Sequence, residues 1–229
     1  MKKYHYSKRL LDIIISFMAL LLFWPLFLII AFLIKLESRG PVFFKQRRIG
    51  RGKQEFLIYK FRTMRRDTPQ DTPTHLLINP DLYINKIGKL LRKTSLDEIP
   101  QILNIIKGEM SIIGPRPALW NQLDLVAERD KYGANDLTPG LTGWAQVNGR
   151  DELPVQAKAE FDGYYVQKIS FVLDLKIFWM TVWNVLAGKG VVEGAAGSAT
   201  SHKAGKVRTL PVIVQAALRS YSSGKENLK

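Results

Sequence analysis

From Ile13 to Ile34 the chain runs through IIISFMALLLFWPLFLIIAFLI without one charged side chain. At 1.5 Å per residue these roughly 22 residues make about 33 Å of helix, enough to cross a bilayer core. The stretch is longer than a secretory h-region and no small-x-small cleavage site follows, so it is expected to stay in the mature protein. Pro25 lies near its middle, removing one helix hydrogen bond and clashing with the preceding turn, which predicts a bend. Both flanks are basic: Lys2, Lys3, Lys8 and Arg9 precede it, and Lys35, Lys45, Arg47, Arg48, Arg51 and Lys53 follow. Basic residues favour the cytoplasmic side, so a straight span would leave one cluster outside. A helix kinked at Pro25 that enters and leaves by one face satisfies both observations. A tilted span with a tolerated proline is the commoner alternative among membrane proteins.

The 229 residues carry 34 Lys and Arg against 20 Asp and Glu, a formal charge of +14. With 46% hydrophobic residues the chain is too apolar for a disordered polyelectrolyte, so this charge sits on something folded. The absence of cysteine excludes disulfide scaffolds, thiolate metal sites and thiol catalysis. A surplus of this size points to an anionic partner: nucleic acid, an anionic lipid surface or a phosphorylated substrate.

Beyond the apolar segment, PVFFKQ and FLIYKFR read as strands joined at Gly50 and Gly52, a β-hairpin. Residues 65–80 read as a proline-rich surface loop. A helical pattern runs from Asp81 through Leu91 and breaks at KTS, and a second is expected over Asp97–Lys107, closed by Gly108. SIIGPRP and LTPGLTGWAQVNGR read as loops or short strands. Ile177–Leu186 is apolar but too short to span; with Trp179, Trp183 and flanking lysines it fits an interfacial helix, and a core helix is the alternative. From Gly188 the composition turns to Gly, Ala and Ser, a linker before a basic tail.

KTSLDEIPQILNIIKGEM carries the clearest chemical signal. Ser95 and Glu98 have capping-box spacing, or Asp97 is itself the N-cap; either register puts Asp97 and Glu98 at the positive end of a helix. Ordinary capping would explain the two acids if they stood alone. They stand among cations: nine Lys or Arg lie between Lys45 and Arg66 against the single acid Glu55, Arg92 and Lys93 precede the pair, and Arg116 follows in GPRP. Lys60 and Arg62 alternate with Phe61 and are expected on one side of a strand. Two carboxylates among fixed cations suit Mg²⁺ binding and approach to a phosphorus atom. GLTGWAQVNGR could cradle a base or sugar through Trp144, Gln146 and Asn148, with Arg150 on a phosphate. No P-loop, dinucleotide fingerprint or HExxH motif occurs, and His5, His75 and His202 are isolated.

These residues resemble the bacterial sugar transferases, the monotopic phosphoglycosyl transferases. The resemblance runs from about Lys8 to Gly190 and is carried by KRLLDIIIS, the proline-broken apolar segment, GPVFFKQRRIGRG, FLIYKFRTM, IGKLLRKTSLDEIPQILNIIKGEMSIIGPRP, PGLTGWAQVNGR and FDGYYVQKISFVLDLKI. It implies that Asp97 attacks the β-phosphate of a UDP-sugar, releases UMP and holds the phosphosugar until undecaprenyl phosphate takes it, with Mg²⁺ required. Glu98 would place the metal or the reacting groups, Lys60, Arg92 and Arg116 match cationic positions around the phosphates, and Asp174 matches a further acidic position, a third candidate metal ligand. Thr138 stands where many relatives have an arginine before PG, and Trp24 precedes Pro25 where some have a small hydroxyl residue.

The expected fold is α+β and mainly helical: a re-entrant anchor over 1–36, a catalytic unit over 37–190 with a small β-hairpin and interfacial amphipathic helices, and a basic linker and tail over 191–229. The resemblance implies the bacterial inner membrane, the catalytic part facing the cytoplasm, with UDP-sugar, undecaprenyl phosphate, anionic phospholipid and downstream glycosyltransferases as partners. A non-catalytic basic scaffold is the alternative; nucleic acid is not expected, since no recognition motif accompanies the charge.

Overall fold

The computed structural model describes residues 2–65, 68, 82–149 and 153–187. The fold is mainly helical α+β. Its first element, α1 (Lys2–Glu37), is a single helix of 36 residues that contains Pro25. It is long and apolar enough to cross a membrane. Strands β1 (Phe43–Ile49) and β2 (Glu55–Phe61) pair antiparallel, Phe43 opposite Phe61 and Ile49 opposite Glu55. The turn between them is short, with Gly52 at φ 62° and Lys53 at φ 63°, the left-handed geometry that the glycine-rich RIGRGKQ segment permits.

Helix α2 (Lys86–Lys93) starts later than the periodicity predicts, because Ile84 is drawn into a bridge with Met64 and Asn85 becomes the residue before the first turn. The helix expected over Asp97–Lys107 is in two parts: a 3-10 turn over Leu96–Gln101 and then α3 (Ile102–Lys107), closed by Gly108 at φ 93° as the glycine predicts. The capping-box reading of Ser95 is corrected. Ser95 is left-handed at φ 57° and its hydroxyl makes no cap bond, because it serves as the hinge residue between α2 and the 3-10 turn. Strands β3 (Ser111–Ile113) and β4 (Gly140–Thr142) pair in parallel, with α4 (Leu123–Asp130) between them in sequence. Helices α5 (Trp144–Val147), α6 (Val155–Lys168) and α7 (Phe171–Leu186) complete the described chain.

Both ends of α1 dock on the rest of the protein, by different chemistry. Near the N-terminus, Tyr4, Lys8, Asp12 and Ser16 recur every four residues, so they share one face of the helix. The Tyr4 hydroxyl and the Lys8 ammonium both donate to Asp174 Oδ2 at 2.7 Å. Asp12 accepts from the Ser111 hydroxyl at 2.7 Å and from the Ile112 N–H at 3.1 Å. Arg9 donates to the Ile105 and Ile106 carbonyls at 2.6 and 3.0 Å at the C-terminal end of α3, where the Ile105 carbonyl also takes the Gly108 N–H at 3.0 Å. Past Pro25 the docking face turns apolar. Ile30 and Ile34 are buried with Phe61 and Leu91, and the Phe27 ring meets Phe61 edge-on. Each such aliphatic side chain taken out of water is worth about 1.5–3 kcal/mol. Glu37 then accepts from the Ile87 N–H at 3.2 Å. Between the two docked ends Met18, Leu21, Leu22, Trp24 and Leu28 are exposed.

Two further apolar clusters hold the rest of the described chain together. Ile58 packs with Ile105 and Met110, and Ile113 with Tyr165 and Ile177. Helix α7 buries Asp174 and Ile177 and exposes Phe171, Val172, Leu175, Phe178, Trp179, Trp183 and Leu186. Most of the surface loop expected over 65–80, Arg150, and the expected linker and tail from Gly188 lie outside the described residues.

Candidate active site

The 3-10 turn presents the acidic pair against β2. Asp97 and Glu98 are both buried. Lys60, one residue from the end of β2, places its ammonium 2.7 Å from Glu98 Oε1, and Arg116 places a guanidinium nitrogen 3.0 Å from the same oxygen. Arg92 lies in the last turn of α2. Asp97 differs from its neighbour: it makes no hydrogen bond or ion pair among the described residues. Burial pushes its carboxyl above the ordinary aspartate range; Lys60, Arg92 and Arg116 pull it down and Glu98 pushes it up, but burial prevails.

Each cation is held by a different local device. Asn104, fully buried, donates to the Leu57 carbonyl at 2.7 Å and accepts from the Tyr59 N–H at 3.0 Å, so α3 is stitched along β2 beside Lys60. Its amide also reaches Glu109 at 2.7 Å. Arg116 follows a point where two chain segments touch through their backbones. The Gly114 N–H donates to the Thr142 carbonyl at 2.9 Å and the Gly140 N–H to the Pro115 carbonyl at 2.8 Å. A Cβ on Gly140 would strike the Gly114 nitrogen and the Thr142 carbonyl, and one on Gly143 the Gly114 carbonyl. The glycines of GPRP and PGLTG are therefore required by close approach. Gly140→Ala is expected to cost at least about 2 kcal/mol through overpacking against backbone and to lower the melting temperature by roughly 4–8 °C. A thermal melt of the purified variant checks this. The β1 edge braces the same segment: the Ile49 N–H donates to the Ala118 carbonyl at 2.9 Å and Arg48 to the Pro117 carbonyl at 3.1 Å.

The other predicted site residues are placed elsewhere. The Arg62 N–H carries the strand ladder one step beyond β2, to the Val42 carbonyl at 2.9 Å, but its side chain is drawn away to the connector after α1. Its buried guanidinium donates to the Arg39 and Ser38 carbonyls and to the Ser38 hydroxyl at 3.0, 2.7 and 2.8 Å, fastening the connector after α1. Trp144 packs in the Tyr165 cluster, stacked on Tyr164 with ring centroids 5.6 Å apart. Gln146 donates to the Leu141 carbonyl at 3.4 Å and Asn148 to the Trp144 carbonyl at 2.8 Å, so the predicted sugar loop is a helical turn braced by its own amides. Arg150 lies outside the described residues.

Asp174 is likewise spoken for. Besides Tyr4 and Lys8 on Oδ2, its Oδ1 accepts the Tyr165 hydroxyl at 2.7 Å. Burial, then the Asp174 charge, pushes the Tyr165 phenol far above the ordinary tyrosine range, so it remains a donor. Among the described residues no three carboxylate or imidazole side chains converge on a possible metal position. Asp174 is thus removed from the expected metal set. The remaining pair does fit Mg²⁺, which takes one or two protein carboxylates and completes its shell with phosphate oxygens and water. The buried Asp97 carboxylate beside Glu98, without a hydrogen bond among the described residues, is the observation that fits.

The sequence profile of bacterial sugar transferases matches residues 3–188. The chain belongs to the bacterial sugar transferase family. Among its relatives, the "uncharacterized sugar transferase EpsL" of Bacillus subtilis is 42% identical over 186 residues, 81% of this chain and 90% of that protein. The exopolysaccharide production protein ExoY of Rhizobium meliloti is 39% identical over 198 residues, 80% and 87% of the two chains. The UDP-N-acetylgalactosamine-undecaprenyl-phosphate N-acetylgalactosaminephosphotransferase of Aeromonas hydrophila is 40% identical over 193 residues, which are 82% of this chain and 45% of that protein. The match takes in Asp97, Glu98, Lys60, Arg92 and Arg116 together with α1 and α7, so this family member carries the whole acidic and cationic constellation within the matched span.

Sequence reasoning singled out the acids and three of the cations, but missed Asn104, Arg9 and Asp12 as residues that build the site. Asn104 and Asp12 each interrupt an apolar run, ILNII and LLDIII, and a polar residue in such a run needs a buried partner.

Proposed function

We propose that the protein transfers a sugar 1-phosphate from a UDP-sugar to undecaprenyl phosphate. The observation that carries the reading is the buried Asp97 carboxylate, without a hydrogen-bond partner among the described residues, within electrostatic reach of Lys60, Arg92 and Arg116. An Asp97 oxygen attacks the β-phosphorus; the bond from that phosphorus to the bridging oxygen breaks and UMP leaves with the electron pair. The phosphosugar is then an acyl phosphate on Asp97, and an oxygen of undecaprenyl phosphate attacks the same phosphorus and frees the carboxylate. Lys60, Arg92 and Arg116 neutralise the phosphate oxygens that would otherwise repel an anionic nucleophile. Mg²⁺, held by Asp97 and Glu98, would add Lewis-acid neutralisation of the diphosphate. The named substrates of the Aeromonas relative, and of the UDP-glucose:undecaprenyl-phosphate glucose-1-phosphate transferases of Xanthomonas campestris and Escherichia coli, support this substrate pair. Incubation of the purified protein with a panel of UDP-sugars and Mg²⁺ is expected to release UMP; release from none of them would overturn the reading.

The same proposal includes a re-entrant α1 with both ends at the cytoplasmic face of the inner membrane. Docking of Arg9 and Asp12 at one end and of Ile30, Ile34 and Glu37 at the other onto a single catalytic unit supports it. Asp12 would be costly at bilayer depth, and its partners Ser111 and Ile112 belong to that unit. The exposed apolar stretch of α1 and the exposed face of α7 would then be covered by lipid. The chain has no cysteine, so single cysteines at residue 2 and at Lys35 report topology directly. Labelling of both from the cytoplasmic side is expected; labelling from opposite sides would refute re-entry.

A further inference from the structure

Helix α2 does not cap itself. Asn85 stands at the capping position, yet its side chain makes no cap bond and its amide donates to the Ser38 hydroxyl at 3.4 Å instead. No acidic residue occupies the first turn of the helix. The acceptor comes from another element: both carboxylate oxygens of Glu37, the last residue of α1, take the Ile87 N–H, at 3.3 and 3.2 Å. A carboxylate there satisfies a donor that has no intrahelical partner and meets the positive end of the helix dipole.

The far end of α2 carries Arg92, about 7.5 Å along the axis from Ile87. A helix this short passes a shift of its start to its end. Ile87 and Leu91 pack with Ile30 and Ile34, and Gly88 lies so close to the next segment that a Cβ would stand 2.0 Å from the Thr63 carbonyl oxygen. These contacts hold α2 sideways, but apolar packing is non-directional and leaves the axial setting to the Glu37 bond. Beyond α2 the left-handed Ser95 interrupts the helix, and the 3-10 turn is fastened separately by Lys60 and Arg116 on Glu98. Arg92 thus depends on the seat of α2 in a way that the acidic pair does not.

We propose that Glu37 is a positioning residue: by capping α2 from the end of α1, it sets where Arg92 meets the phosphates of the nucleotide sugar. The apolar helix is then part of the catalytic apparatus as well as an anchor, because the residue on which it ends fixes one of the three phosphate-binding cations. The proposal rests on the UDP-sugar reading of the site, and it makes donor binding depend on a carboxylate that touches neither nucleotide nor sugar.

The test measures UDP-sugar affinity by calorimetry on the full chain in detergent, in an Asp97→Asn background that binds without turnover. The probe is whichever UDP-sugar releases UMP with the wild type. Glu37→Met keeps the length of the side chain and removes the acceptor; it is expected to weaken binding about 10-fold, within the range that a small misplacement of a binding group produces. Glu37→Gln, whose carbonyl can still accept the Ile87 N–H, is expected to restore affinity to within about 3-fold. In a double-mutant cycle the Met effect should vanish when Arg92→Ala is added and persist in full when Arg116→Ala is added, since Arg116 is carried by a different segment. Glu37→Ala carries the same expectations should the Met variant fail to fold. Unchanged affinity without the acceptor, a loss that Gln does not rescue, or a loss of equal size with and without Arg92 would overturn the positioning role and leave the transferase reading intact. Failure of the wild type to release UMP from any UDP-sugar would instead overturn the reading beneath it.

Discussion

Asp97→Asn is expected to lower UMP release by roughly 10³-fold or more, the scale on which loss of a covalent nucleophile acts, without lowering the melting temperature. The two halves of this result share one cause. Burial disfavours the Asp97 carboxylate more than Lys60, Arg92 and Arg116 favour it, so the folded protein holds that charge at a cost. A neutral asparagine of nearly the same shape removes the cost and the nucleophile together. The sign of the pH dependence follows. Because the folded-state pKa lies above the unfolded one, the stability linked to Asp97 rises as pH falls from the folded value toward the ordinary range of about 3.9. Transfer behaves oppositely, since it needs the carboxylate: UMP release should fall as pH drops through the same raised value. Initial rates from pH 4 to 8, with melts of both proteins, check it; an Asn variant markedly less stable than the wild type at neutral pH would contradict the balance.

Asp174→Ala should be strongly destabilising. It strips the acceptor from the Lys8 ammonium and from the Tyr4 and Tyr165 hydroxyls at once, all three at 2.7 Å. The Lys8 and Asp174 side chains are only 13% and 9% exposed, so solvent cannot easily replace the pair. Removing one partner of a buried ion pair costs about 3–5 kcal/mol, which in a chain of this size lowers the melting temperature by roughly 6 °C or more. The Mg²⁺ concentration for half-maximal UMP release should not move, because Asp174 is saturated by donors and stands apart from the acidic pair. A raised Mg²⁺ requirement with an unchanged melt would return Asp174 to the metal set.

The contrast between Asp97 and Asp174 shows how far the sequence could be read. Both acids were picked out from their motifs, and nothing in composition or spacing told a reactive carboxylate from a structural one. What separates them is the number of donors each meets, set by Tyr4, Lys8 and Tyr165, residues distant in sequence that only the fold assembles. The same limit explains Arg62: its spacing from Lys60 matched a strand face, but the Ser38 and Arg39 carbonyls that take its guanidinium are distant in sequence. Local signals fared better. Gly108, the Gly50–Gly52 turn and the apolar run of α1 each express a constraint satisfied within a few residues, and they are found where the pattern puts them. Ser95 is the exception among local signals, because its place between two helices demanded a left-handed backbone that a capping serine does not adopt. Asn104 and Asp12 were legible as anomalies in apolar runs, yet their partners, the β2 backbone and the start of β3, were not.

The central claim is a covalent phosphosugar on Asp97, and intact-protein mass measurement after mixing with UDP-sugar and Mg²⁺, without undecaprenyl phosphate, tests it most directly. The expected result is UMP release up to one equivalent with a mass increase equal to the sugar phosphate, mapped to the peptide containing Asp97, absent in Asp97→Asn and discharged on adding undecaprenyl phosphate. UMP that forms only when the lipid phosphate is present, with no adduct at any time, would mean direct transfer between the two substrates and would contradict the assignment of Asp97 as nucleophile.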